Sequence, residues 1–199
     1  MKRLLLVLTL VLVAAAPAAA DTIAQGGGAN NVVLVRSTVD QAWQARSHVQ
    51  VAPVAGDTVA SANIASATSI ACTGCRASAV AVQVLFVTGD PSVFTPANAA
   101  TAVNAGCNSC GTFAYAWQYV LQTSGPVHLS PAGRLQVIGL EQQIADTVSS
   151  IDPVSLAADE QLTSELDSLT AQLKSVVDGE LVANGVHATG TPVEQVRET

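Results

Sequence analysis

Four cysteines, Cys72, Cys75, Cys107 and Cys110, are the residues of this 199-residue chain best equipped for chemistry, because they fall into two C-x2-C pairs. Such a set can close disulfides, hold a tetrahedral metal through four thiolates, or act as redox dithiols. Local bridges Cys72–Cys75 and Cys107–Cys110 suit two-residue turns at Thr73-Gly74 and Asn108-Ser109, since residues facing each other across such a turn have Cα atoms about 5.5 Å apart, inside the disulfide range. Zinc bound by the same four residues is the alternative cofactor. Paired cysteine knuckles hold structural zinc in this way, and Gly111 after Cys110 suits a knuckle. Against zinc stand Arg76 directly after Cys75, the 31 residues between the pairs, a gap longer than the usual roughly 15–20, and the oxidising environment that an exported chain meets. A redox dithiol needs a cysteine of lowered pKa at a helix N-terminus, and the flanks here read as strands. Structural disulfides are therefore the expectation, with no cofactor and no catalytic residue.

The other reactive side chains are scattered. His48, His128 and His187 are far apart and lie in no zinc-protease or nucleophile-elbow motif, so surface or satisfied core histidines are expected. Asp159, Glu160, Glu165 and Asp167 lack the loop spacing of a calcium site and read as a solvated helix face. The stripe Phe113, Tyr115, Trp117 and Tyr119 could bind a glycan or peptide. In a chain with only 4% aromatic residues it is expected to be core instead.

The elements that position the cysteines follow from periodicity. A unit recurs at an offset of 35: Ala62-Asn63-Ile64-Ala65, Cys72-x-x-Cys75 and Gln83 match Ala97-Asn98-Ala99-Ala100, Cys107-x-x-Cys110 and Gln118. After each cysteine pair, Val80, Val82, Val84 and Phe86, and then Phe113, Tyr115, Trp117 and Tyr119, alternate with period two, which is a strand signal. Each unit (62–89 and 97–124) is read as a β-hairpin, with Ala65 facing Val82, Ala67 facing Val80, Ala100 facing Trp117 and Ala102 facing Tyr115. Two further strands are expected over Asn31–Thr38 and Ser47–Val54. The spacing then changes to helical. Ser130-Pro131 is an N-cap and first-turn proline ahead of Leu135, Ile138, Gln142 and Ala145. After Asp152-Pro153, Leu162, Leu166, Leu169, Leu173 and Val176 form a coiled-coil-like stripe, to be covered by the first helix, the sheet or another chain.

Compartment and partners come from the ends and the charge. Lys2 and Arg3, the 13-residue run Leu4–Ala16, apolar except for Thr9, and Pro17-Ala18-Ala19-Ala20 read as a secretory leader cleaved after Ala20. The run is too short for a bilayer span of about 20 residues. The formal net charge of −7 argues against nucleic acid, which selects clustered Lys and Arg. Residues 21–140 balance four acids with four bases, whereas 141–199 set eleven acids against Lys174 and Arg197, so the two parts are expected to differ in structure. The paired A-N-x-A, C-x2-C and A-x-A-x-Q units in an Ala- and Val-rich, Lys-poor chain resemble small secreted actinobacterial proteins over residues 32–145. That resemblance implies an exported origin and adds no catalytic residue.

The sequence thus predicts an α+β protein. A leader (1–20) and a flexible stretch (21–30) precede a small antiparallel sheet or sandwich of cysteine-tipped hairpins (31–126). An acidic helical pair (130–182) and a disordered tail (183–199) follow. Its expected role is a secreted, non-enzymatic structural or interaction module, extracellular, with a homo-oligomer or cell-envelope partner reached through the C-terminal helix. The alternative is an extracytoplasmic zinc-binding or thiol-redox protein.

Overall fold

A computed structural model describes residues 29–198; the expected leader, its cleavage point and residues 21–28 of the expected flexible stretch lie outside the described residues. The chain is α+β, with strands β1 (Asn31–Ser37), β2 (Trp43–Ala55), β3 (Thr58–Val59), β4 (Ala62–Ile70), β5 (Arg76–Thr88), β6 (Val93–Phe94), β7 (Ala97–Ala105) and β8 (Gly111–Thr123). Helices α1 (Pro131–Ser150) and α2 (Leu156–Ala183) follow, and then β9 (Val193–Glu198).

The antiparallel hairpins expected from the sequence do not form. β1, β4 and β7 make one parallel sheet, β2, β5 and β8 a second, and β3 and β6 a third. Successive strands of one unit, such as β4 and β5, belong to different sheets, so the chain winds as three stacked coils of a β-solenoid. Ala62 pairs with Ala97, Arg76 with Gly111 and Val82 with Trp117, all at the 35-residue offset. The local cause lies at the cysteine corner. Ala71 (φ 53°) and Gly74 (φ 62°), then Gly106 (φ 60°) and Ser109 (φ 56°), adopt left-handed backbone on either side of each first cysteine. Two such residues in each corner swing the chain out of one sheet and into the next. A tight hairpin turn would have returned it along its own edge.

Period-two alternation survives this change of partner, but its two faces meet different neighbours. Inward positions are small: Ala65 and Ala67 pack with Ala77, Ala79, Ala81, Ala114 and Ala116, together with Val33 and Val35, between the two long sheets. Ala65 therefore packs on other small residues and not on Val82 as the hairpin register requires. The large side chains Val82, Val84, Phe86, Phe113, Tyr115, Trp117 and Tyr119 point to the other face, where they form one core with Leu140, Ile144 and Val148 of α1 and Leu162, Leu166, Leu169, Leu173 and Val177 of α2. The leucine stripe is thus covered within the chain. Both faces of β5 are consequently buried, as expected for a central strand of a covered parallel sheet.

The helices are pinned where their ends meet. Ser130 caps α1 by accepting from Gly133 N at 3.0 Å, and its own N–H and O–H both donate to the Glu180 carboxylate of α2 at 2.7 Å. Those two hydrogen bonds, the backbone one foremost, hold the Glu180 carboxyl below the ordinary glutamate range. A depressed folded-state pKa stabilises fully above the unfolded value and fades as pH falls through the folded one. Glu180→Gln is therefore expected to melt below the parent at neutral pH, with the difference closing in acid; thermal melts from neutral pH down to pH ~3 measure it. A gap that stayed constant with pH would refute the assignment.

α2 starts at Leu156 behind Ser155, whose side chain accepts from Ala158 N, later than Asp152-Pro153 implied. Pro153 instead lies in the connecting loop, where its carbonyl oxygen occupies the space a Cβ on Gly111 would need. Gly111 is thus required for close passage of two backbones. Gly111→Ala should cost about 1–3 kcal/mol in denaturant melts, because neither backbone can rotate away as a side chain would. In the tail, expected to lack order, β9 lies antiparallel on β8, pairing Trp117 with Val196. No helix among the described residues is long and apolar enough to cross a membrane.

Candidate functional site: the cysteine corner

Stacking of the second and third coils superposes the two C-x2-C pairs. Thr73 pairs with Asn108 in a parallel bridge. Asn108 N–H donates to Cys72 O at 3.2 Å, Gly74 N–H to Asn108 O at 2.8 Å and Gly111 N–H to Cys75 O at 3.1 Å. The first coil supplies no cysteine at this corner, where the Asp40 carboxylate accepts from Thr73 N at 2.8 Å.

The four sulfurs form a single cluster, all within 4.8 Å of one another. Cys72 and Cys75 lie at disulfide distance with Cα atoms 6.0 Å apart, whereas Cys107 and Cys110 are unbridged thiols. Between the coils, the Cys75–Cys110, Cys72–Cys107 and Cys75–Cys107 sulfur separations are 3.3, 3.7 and 3.8 Å. Cys72 and Cys75 are buried, while Cys107 and Cys110 are half-buried, so the cluster is reached from the third-coil side. Burial, and after it the hydrogen bond to Cys110, push the Cys107 thiol above its ordinary range. An activated redox thiol is shifted the other way, and each pair here sits between two strands instead of at a helix N-terminus.

The remaining candidates do not converge. Among the described residues, the four cysteines are the only group of three or more His, Cys, Asp and Glu close enough to share one ion. His48 Nδ1 lies 2.7 Å from Asn31 Oδ1, His187 Nδ1 lies 3.2 Å from Ser124 Oγ, and the His128 backbone meets Asn184. Asp167 accepts from Tyr115 Oη at 2.8 Å and Glu165 from Gln161 Nε2 at 2.8 Å. Burial raises the pKa of Asp159. The aromatic stripe is core: Phe113, Tyr115, Trp117 and Tyr119 are at most 2% exposed. Tyr119 donates to Asp178 at 3.0 Å, and burial followed by that acid pushes its phenol strongly upward.

Two amide ladders escape a sequence reading centred on cysteine. Asn31 Nδ2 donates to Asn63 Oδ1 at 2.9 Å and Asn63 Nδ2 to Asn98 Oδ1 at 2.8 Å. In the opposite direction, Gln118 Nε2 donates to Gln83 Oε1 at 2.8 Å and Gln83 Nε2 to Gln50 Oε1 at 2.7 Å. Asn63 with Asn98 and Gln83 with Gln118 are visible in the repeated unit. Asn31 and Gln50 belong to the coil without cysteines, where no such marker sets the register.

Fold and site together define a short parallel β-solenoid, covered on one face by two helices and carrying a cluster of four cysteines at one corner. No protein-family model, curated protein or solved structure matches the chain.

Proposed function

We propose that the chain is an exported, non-enzymatic structural module that meets a cell-envelope component or another copy of itself through the outer face of the β1–β4–β7 sheet. The observation that supports this most is the chemistry of that face. Val32 and Leu34 are 50% and 63% exposed, and the strand register sets them beside Ile64 and Ser66 and then Ala99 and Thr101. The row Val32–Ile64–Ala99 is apolar and Leu34 extends it at the sheet edge, and exposed apolar surface of this kind is characteristic of interaction sites. The leucine stripe of α2 is spent on the core, although α1 also exposes Leu135 and Ile138, at 70% and 60%. Export is supported by the leader pattern of Lys2–Ala20.

The test has two parts. N-terminal sequencing of the chain recovered from outside producing cells should begin at Asp21. Ile64→Lys and Thr101→Lys, on the side of the sheet opposite Ala65 and Ala67 and outside the hydrophobic cores, should leave the chain folded by circular dichroism and abolish both retention on washed envelopes and self-association in light scattering. A chain that keeps Met1 inside the cell, or variants that associate as the parent does, would refute the proposal.

A further inference from the structure

We propose that the cysteine corner is a tetrathiolate site for a thiophilic divalent cation of the zinc type, which clamps the second coil to the third. In a tetrahedral site with zinc–sulfur bonds of about 2.3 Å, the sulfurs stand about 3.8 Å apart. The separations across the coils, 3.3, 3.7 and 3.8 Å, approach the edges of that tetrahedron. They include the Cys75–Cys107 diagonal, which two independent local disulfides do not require.

Two of the sequence objections to a metal, the gap and Arg76, change meaning in the solenoid. The long gap between the pairs is one circuit of the coil, so it brings Cys107 and Cys110 directly over Cys72 and Cys75. Arg76 directs its guanidinium to Asp152 at 2.9 Å, on the helix-covered face of the sheet and away from the sulfurs. Both cysteines of the third coil are only half-buried, which gives an ion a way in. Soft thiolate sets select zinc-like cations over magnesium or calcium.

The chemistry balances without electron transfer. Four thiols give four protons to solvent as one divalent ion binds, and the resulting centre carries two negative charges. A Cys72–Cys75 bond and the ion exclude each other, because a bonded sulfur has no thiolate to contribute. The site thus belongs to the reduced chain, and its metal would link two coils that otherwise share only backbone hydrogen bonds and stacked side chains at this corner.

The test uses the full chain, reduced and freed of metal, titrated with zinc and separately with cobalt(II) as a spectroscopic probe. One equivalent of zinc should bind, protect all four thiols from alkylation, and raise the melting temperature. Cobalt should give thiolate charge-transfer bands and the intense visible bands of tetrahedral coordination. Cys107→Ser, which removes one half-buried ligand and leaves the Cys72–Cys75 pair, should lose the four-sulfur spectrum. The variant with all four cysteines changed to serine should show none, and circular dichroism checks that both variants fold. If the metal-free chain is unfolded, zinc should fold it. The proposal is overturned by a folded reduced chain that binds no more metal than the four-serine variant, by cobalt bands lacking thiolate charge transfer, or by a reduced chain that zinc neither binds nor folds.

Discussion

Trp117→Ala should destabilise the chain by about 3–5 kcal/mol, the usual cost of truncating a buried tryptophan. Trp117 sits on the central part of β8, between β5 and β9. Its ring stacks on Tyr119 with centroids 5.8 Å apart, and its Nε1 donates to Glu194 Oε1 at 3.2 Å. The substitution therefore opens a cavity under α2 and frees an acid that anchors β9, which Lys174 also holds through Glu194 at 2.7 Å. Domains of this size have a total stability of about 5–15 kcal/mol, so a large unfolded fraction at physiological temperature is the expected observation in urea or thermal melts. A variant that melts with the parent would show that the aromatic stripe is not core, and glycan or peptide binding by that stripe would then be the measurement to make.

Asn63→Ala should cost about 2–4 kcal/mol for a different reason. Asn63 is fully buried in the middle of its ladder. It accepts from Asn31 and donates to Asn98, and its amide also reaches the carbonyls of Ala81 and Trp117 at 3.0 Å. Truncation leaves several of these groups unpaired in a dry interior, where each costs about 1–3 kcal/mol; Asn31 keeps a second acceptor at Val82 O, which limits the total. Asn63→Asp is the informative companion. It preserves shape and one acceptor but places a carboxylate against the carbonyls of Ala81 and Trp117 and the Asn98 oxygen, so it should destabilise more than alanine near neutral pH. An aspartate variant as stable as the parent at neutral pH would refute the ladder's energetic role.

These two residues show how the fold divides between what was legible and what was not. Strand periodicity at 76–88 and 111–123 is plain in the sequence, as are the Ser130-Pro131 helix start and the leucine spacing of α2, since each depends on neighbours within a few residues. The burial of Trp117 could be anticipated from the scarcity of aromatic residues. Its partners could not, because the hairpin register set Ala100 opposite it, whereas parallel pairing sets Val82 beside it and α2 above it.

What the sequence determined by itself was local: which segments alternate, which turn at helical spacing, and that two cysteine units recur at one offset. What only the tertiary structure decided was direction and neighbourhood. A period-two strand looks the same whether it pairs with the segment after the next turn or with the corresponding segment one circuit later. At the two cysteine corners the left-handed residues Ala71 and Gly74, and Gly106 and Ser109, turn the chain into a new sheet. That choice converts two separate cysteine tips into one cluster of four, stacks Asn31 on Asn63 and Asn98, and turns the large side chains of β5 and β8 toward the helices, because every such contact joins residues one coil apart.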